Sequence, residues 1–418
     1  MIVRDVLDNG MRLATEAMPH VRSVSLGVWL RRGSRHEAES QSGIAHFVEH
    51  MLFKGTSSRT AEELAQAIDS IGGQMDAFTS KEYAGYYIKV LDEHLPFALD
   101  VLSDLILNPS MLEEEIEREK NVVLEEIKMV EDTPDDLVHE LFTQELWRGH
   151  SLGRPILGRP ETVAGFARHD LMEYFGRVYS APNLVFASAG NLEHARVRDL
   201  VAERFSHLPA GGAEPHDTAP TVVPHLVQRA KDLEQSHVCL GMSSYQQDHE
   251  DRYVSYVLNT VLGGSMSSRL FQNIREKRGL AYSVFSGLSA YRDAGSLSVY
   301  AGCANDKVGE VIDLVVAELR GMKQFETDDE LRRAKDHLKG NLMLGLESTS
   351  SRMSLLARQE IYFDAQVDLD ATLAGIEAVT AADVRRVAHA LFDDGPPSVI
   401  VLGPATGMEL TREHVALS

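Results

Sequence analysis

Two histidines and a glutamate in one short stretch carry the first chemical suggestion. Gly43-Ile44-Ala45-His46-Phe47-Val48-Glu49-His50-Met51-Leu52-Phe53 is mostly apolar, with no Pro and no Gly after Gly43, which predicts a buried helix. Residues four apart on a helix share a face, so His46 and His50 stand one turn apart with Glu49 at the edge of that face. Two imidazoles so spaced can chelate one metal ion, and the carboxylate can take a proton from a bound water without ligating. Neutral imidazole suits Zn²⁺, and three protein ligands leave a fourth position for water, whose pKa then falls to about 7. The chain holds 17 histidines, and one on an apolar face is commonly a satisfied core residue, so the run alone leaves a structural role open. A third ligand placed by separate reasoning would decide.

Residues 111–131, Met-Leu-Glu-Glu-Glu-Ile-Glu-Arg-Glu-Lys-Asn-Val-Val-Leu-Glu-Glu-Ile-Lys-Met-Val-Glu, favour helix throughout. Stepping by four and three from Leu112 passes through Ile116, Glu119, Val123, Glu126 and Val130, one inward seam. Glu114 and Glu125 fall off it and can be solvated. Glu119 and Glu126 lie in it, and buried carboxylates are normally paired or metal-bound. A structural ion pair would satisfy either; beside the two histidines, Glu126 is the better third ligand.

In these residues the chain resembles the inverted-motif zinc peptidases of the pitrilysin and mitochondrial processing peptidase family, peptidase family M16, in its bacterial processing-peptidase-like branch. Their His-x-x-Glu-His is followed about seventy-six residues later by a glutamate, and that distance from His50 lands on Glu126. The resemblance implies His46, His50 and Glu126 as ligands of one Zn²⁺ per chain, Glu49 as general base and Glu119 as a supporting carboxylate. It implies that a substrate peptide adds to a strand edge at Ala77, Phe78 and Thr79, although Asp76 stands where relatives often carry Asn. It implies that Asp136 and Glu140 contact a substrate arginine, and that Arg275 and Tyr282 reach the substrate backbone and the forming oxyanion. Each also has a plain structural reading: an acidic corner is usually solvated, Arg275 can be a surface charge and Tyr282 a core strand residue.

The elements that must position these groups follow from the pattern. Ser23 to Leu30 alternates as a strand, and Arg31-Arg32-Gly33-Ser34-Arg35 reads as a polar turn into the histidine helix. Thr60 is placed as N-cap of a helix over 61–70, and Gly72-Gly73 precedes a hairpin of 74–79 and 83–90. A helix over 94–107 stops at Asn108-Pro109; a buried strand over 183–190 and a helix over 193–206 follow. Composition shifts at Pro209 through Pro224, rich in Gly and Pro. Beyond it the order repeats: Ser236 to Met242 echoes Ser23 to Leu30, a helix near 251–262 stands where the histidine helix stood, Leu297 to Gly302 echoes the second hairpin strand, and 328–363 matches the glutamate helix. The second copy carries no ligands. Gly263-Gly264-Ser265-Met266 lacks the Lys-Ser/Thr ending and preceding strand of a phosphate loop.

The expected fold is therefore α+β, two duplicated halves, each an antiparallel sheet backed by helices, facing each other as a clamshell. The halves are read as 1–210, which binds zinc, and 225–418, with 211–224 as linker. No apolar run approaches the roughly 20 residues of a membrane span, and the N-terminus reads as a first strand rather than a signal peptide. Cys239 and Cys303 imply no disulfide framework, which fits a cytoplasmic protein. A net charge of −22 without a basic face argues against nucleic acid and would favour peptides, basic ones included. The expected function is a zinc endopeptidase of unfolded peptides or presequence-like segments, acting as a homodimer. The competing reading is a catalytically inactive peptide-binding or scaffold subunit, a class that usually lacks the ligands present here.

Overall fold

The structure, a computed structural model, describes residues 2–211, 218–404 and 410–417. The strands are β1 (Ile2–Val6), β2 (Arg12–Ala17), β3 (Ser23–Leu30), β4 (Gln74–Thr79), β5 (Ala84–Leu91), β6 (Leu184–Gly190), β7 (Leu226–Ala230), β8 (Gln235–Ser244), β9 (Ala281–Ala290), β10 (Gly295–Ala304) and β11 (Ser398–Gly403). They form two sheets, ordered β1-β2-β6-β3-β5-β4 and β7-β11-β8-β10-β9. Laid side by side, β2-β6-β3-β5-β4 and β7-β11-β8-β10-β9 are the same arrangement, which is the duplication written in strand order. Neither sheet is wholly antiparallel: β2 runs parallel to β6, and β7 to β11. Neither pair is joined directly: β3, β4 and β5 with their helices intervene between β2 and β6, and β8, β9 and β10 with theirs between β7 and β11, so each partner returns in the same direction only after a long excursion.

The chain divides into two compact units that do not follow chain order. Unit 1 is Met1–Lys128, Arg154–Asp217 and Gly345–Gln366; unit 2 is Met129–Gly153, Thr218–Leu344 and Val367–Ser418. The linker expected over 211–224 falls partly on 212–217, outside the described residues. Each copy of the repeat gives one helix to the other copy's sheet. In unit 2 the helix Pro134–Leu146 buries Leu137, Val138, Phe142 and Leu146 with Cys239, Tyr300, Ile400 and Leu402 of the second sheet. In unit 1 the helix Thr349–Tyr362 sets Met353, Leu356, Ala357 and Ile361 against Ala14, Trp29, Val185 and Ala187 of the first. That second helix explains why β3, read as a half-buried alternating strand, is buried along almost its whole length: its opposite face is covered too. Buried Ser25 Oγ bonds Thr349 Oγ1 across that contact at 2.9 Å.

The histidine helix spans Ile44–Leu52 and buries Ile44, Phe47, Val48, Met51 and Leu52 in the main core of unit 1. Each large side chain so buried contributes roughly 1.5–3 kcal/mol, so the helix is anchored by one face and presents the other. The glutamate helix spans Glu113–Asp132, inserting Ile116, Glu119 and Val123. Leu112, expected to begin that seam, is exposed, because the helix starts after it and Met111 takes the buried place. The polar turn expected at 31–35 is not solvated: Arg32 and Arg35 are buried, and Arg35 pairs with Glu82 at 2.8 Å.

Candidate metal centre

On the outward face of the histidine helix, His46 Nε2 lies 3.7 Å and His50 Nε2 3.6 Å from Glu126 Oε2. Among the described residues this is the one group of three whose ligand atoms all fall within 4.8 Å of one another. Glu126 Oε2 is buried and, among the described residues, has no hydrogen-bond donor. An unsatisfied buried carboxylate oxygen is costly. Set between two imidazole nitrogens, beyond hydrogen-bond range of both, it makes with them a donor set that a divalent cation would satisfy. Two neutral imidazoles and one carboxylate fit zinc, which takes N and O ligands about 2 Å away and tolerates an open fourth position.

Burial, helped by the neighbouring His50, pushes His46 down to about 3, so it is a neutral donor at physiological pH. His50 is oriented from behind: its Nδ1–H donates to Glu119 Oε1 at 2.8 Å, which leaves Nε2 as the lone-pair nitrogen toward Glu126. Burial lowers the His50 pKa, but that bond and the Glu126 carboxylate outweigh it and raise the value overall. Glu119 is itself buried, yet the bonds from His50 and Lys54 hold it below the usual carboxylate range. Lys54 Nζ is 2.6 Å from Glu119 Oε2. Sequence reasoning did not single out Lys54; its signal was there, since it stands four residues after His50.

Glu49 is 9% exposed, and burial pushes its carboxyl above the usual range although the Thr79 hydroxyl works the other way. Thr79 Oγ1 donates to Glu49 Oε2 at 2.5 Å. Thr79 is the last residue of β4, and among the described residues β4 is an edge strand, paired with β5 on one side alone. Ala77, Phe78 and Thr79 therefore sit on a free strand edge whose end touches the candidate base. Asp76 accepts from Tyr87 Oη at 3.0 Å.

The remaining residues belong to unit 2. Asp136 is exposed and Glu140 half-buried on the helix Pro134–Leu146, with Gln144 donating to Glu140 Oε1 at 3.4 Å. Arg275 sits on a π-helical turn, Phe271–Glu276, an irregularity often found at functional sites. Its guanidinium lies 4.6 Å from the Phe271 ring centroid and 4.9 Å from that of Tyr282. Tyr282 is the second residue of β9 and is 79% exposed, so it is no core residue. Both line an open cleft of about 420 Å³ with Gly263, Met266, Phe271 and Phe285.

Two family models match the sequence, one described as insulinase, peptidase family M16, over residues 12–160, and one as peptidase M16 inactive domain over 165–338. An uncharacterized zinc protease of Bacillus subtilis is 44% identical over 395 residues, covering 94% of this chain and 96% of its own. One of Streptomyces coelicolor is 40% identical over 427 residues, covering 99% and 92%. Among solved structures, a protease from Helicobacter pylori shares the fold with a TM-score of 0.91 at 24% identity, across 97% of this chain and 99% of its own.

Proposed function

The chain belongs to peptidase family M16, and from that premise we propose that it is a zinc endopeptidase acting on extended peptides. The observation that carries the reading is the group His46, His50 and Glu126, with Glu49 one residue before the second imidazole and held by the end of a free strand edge. His46, His50 and Glu126 would hold the zinc, which would supply Lewis acidity toward a water and a carbonyl. Glu49, its pKa raised by burial, takes the proton from the attacking water and passes it to the leaving amine. Glu119 keeps His50 in the tautomer that offers Nε2. The edge of β4 at Ala77, Phe78 and Thr79 aligns an extended substrate by backbone pairing. Arg275 and Tyr282 donate to the substrate backbone and the oxyanion, and Asp136 and Glu140 read a basic residue near the cut. A homodimer in the cytoplasm completes the proposal. Among the described residues no helix is long and apolar enough to cross a membrane, and both cysteines are free and buried.

The scaffold reading draws on one observation, the match of residues 165–338 to a model described as an inactive domain. That stretch lies wholly after Glu126, whereas the model over 12–160 spans every proposed ligand and Glu49. Digestion of a denatured peptide library, read by mass spectrometry, tests the proposal. Internal cleavages that a chelator abolishes and added zinc restores are expected. Trimming from chain ends alone would remove the endopeptidase assignment, and sites without enrichment of basic residues would remove the role of Asp136 and Glu140.

A further inference from the structure

A buried segment outside the ligand set ties the histidine helix to the strand edge. The helix starts from Gly43, whose positive φ of 95° and missing side chain leave the first turn without a cap of its own. The acceptors come from Glu37, in a side chain only 4% exposed: Oε2 accepts from Gly43 N at 2.9 Å and Oε1 from Ala45 N at 2.8 Å. The stretch that carries Glu37 is pinned to the turn after β4. Ser34 N donates to Ser80 O at 3.1 Å and Arg35 N to Lys81 O at 2.8 Å. A Cβ on Gly33 would come within 2.2 Å of Ser80 O, so the contact is backbone against backbone. Arg154 Nη2 donates to Glu37 O at 2.9 Å, and Lys81 Nζ reaches back to Arg154 O. Thr79, which holds Glu49, is the residue immediately before this pinned turn.

We propose that Glu37 is a positioning residue for the peptidase reaction. By capping the histidine helix from a segment bonded to the β4–β5 turn, it sets where Glu49 stands against Thr79 and the strand edge. The inference rests on the zinc peptidase reading and deepens it. In its ionised form the carboxyl suits the task, because each oxygen then takes one amide; a glutamine of the same length turns its NH₂ onto one of the two N–H groups. Displacing a reacting group by about 1 Å costs on the order of 100-fold in rate.

The test compares Glu37→Gln with Thr380→Ala, which removes the side-chain cap of the helix Ala381–Phe392 in unit 2. In Glu37→Gln, kcat is expected to fall roughly 10- to 100-fold while KM stays within about threefold. The visible spectrum of the cobalt-substituted protein should change with it. Thr380→Ala should lower Tm and leave kcat and the cobalt spectrum unchanged. Should Glu37→Gln fail to fold, Arg154→Met, which spares the carboxyl and removes its neighbour from Glu37 O, should move both readouts the same way by less. A folded Glu37→Gln or Arg154→Met protein with wild-type kcat and spectrum overturns the proposal, because Glu37 would then be an ordinary helix cap. A wild-type protein that takes up no metal would overturn the peptidase reading instead, so the two failures are distinguishable.

Discussion

At the scale of single residues, the centre is a set of groups whose protonation is decided by their neighbours. Glu119 holds the His50 tautomer, so Glu119→Gln, which can turn an NH₂ toward Nδ1, should weaken zinc binding roughly 10- to 100-fold in a chelator competition while the fold survives. Unchanged affinity would reduce Glu119 to the ion pair it also makes with Lys54. Tyr282→Phe removes a donor and little volume; kcat should drop at least about tenfold with KM nearly constant if the phenol meets charge developing in the transition state. That His46, His50 and Glu126 come together was legible in the sequence, because a spacing of four sets the two histidines on one helix face and the seam of a second helix carries the glutamate. The Thr79 hydroxyl on Glu49 was not, since strand periodicity states which face a side chain takes and not what it meets across a helix. Glu37 went unremarked for a related reason: it lies just past the stretch read as a polar turn at 31–35, and only the packing shows that its carboxyl is buried under the first turn of the histidine helix.

At the scale of elements, the segment after the histidine helix is locked to the helix Leu95–Leu107 through Asp104. That carboxylate accepts from Thr56 Oγ1 at 2.7 Å, Ser58 Oγ at 2.7 Å and Arg59 Nη1 at 2.6 Å. Burial alone would raise its pKa, but these donors outweigh it and hold the value below the usual range. A depressed folded-state pKa adds stability above the unfolded value of about 3.9 and loses it as pH falls through the folded one. Urea titrations should show Asp104→Asn less stable than wild type at pH 7, with the gap closing as pH falls below about 4. A constant gap would mean the pair acts through packing and not through charge. Element boundaries were largely readable, down to the Thr60 cap on Ala61–Asp69. Which sheet the helices Pro134–Leu146 and Thr349–Tyr362 cover was not, because an amphipathic pattern announces a buried face without naming its partner.

At the scale of the whole molecule, the two copies of the repeat are interlaced, each sheet being covered by a helix from the other copy. Fragments 1–211 and 218–418, expressed separately, should each lack a core helix and show no cooperative unfolding; produced together they should assemble and recover it. Independent cooperative folding of either fragment would contradict that dependence. The central claim is that His46, His50 and Glu126 jointly hold one zinc ion that Glu49 serves as base. Elemental analysis and peptide hydrolysis of wild type and Glu49→Gln, purified alike, test it most directly. The account predicts about one zinc per chain in both proteins and hydrolysis lowered on the order of 100-fold or more in the variant. Metal-free wild type, or a Glu49→Gln protein that cleaves as fast as wild type, would contradict it.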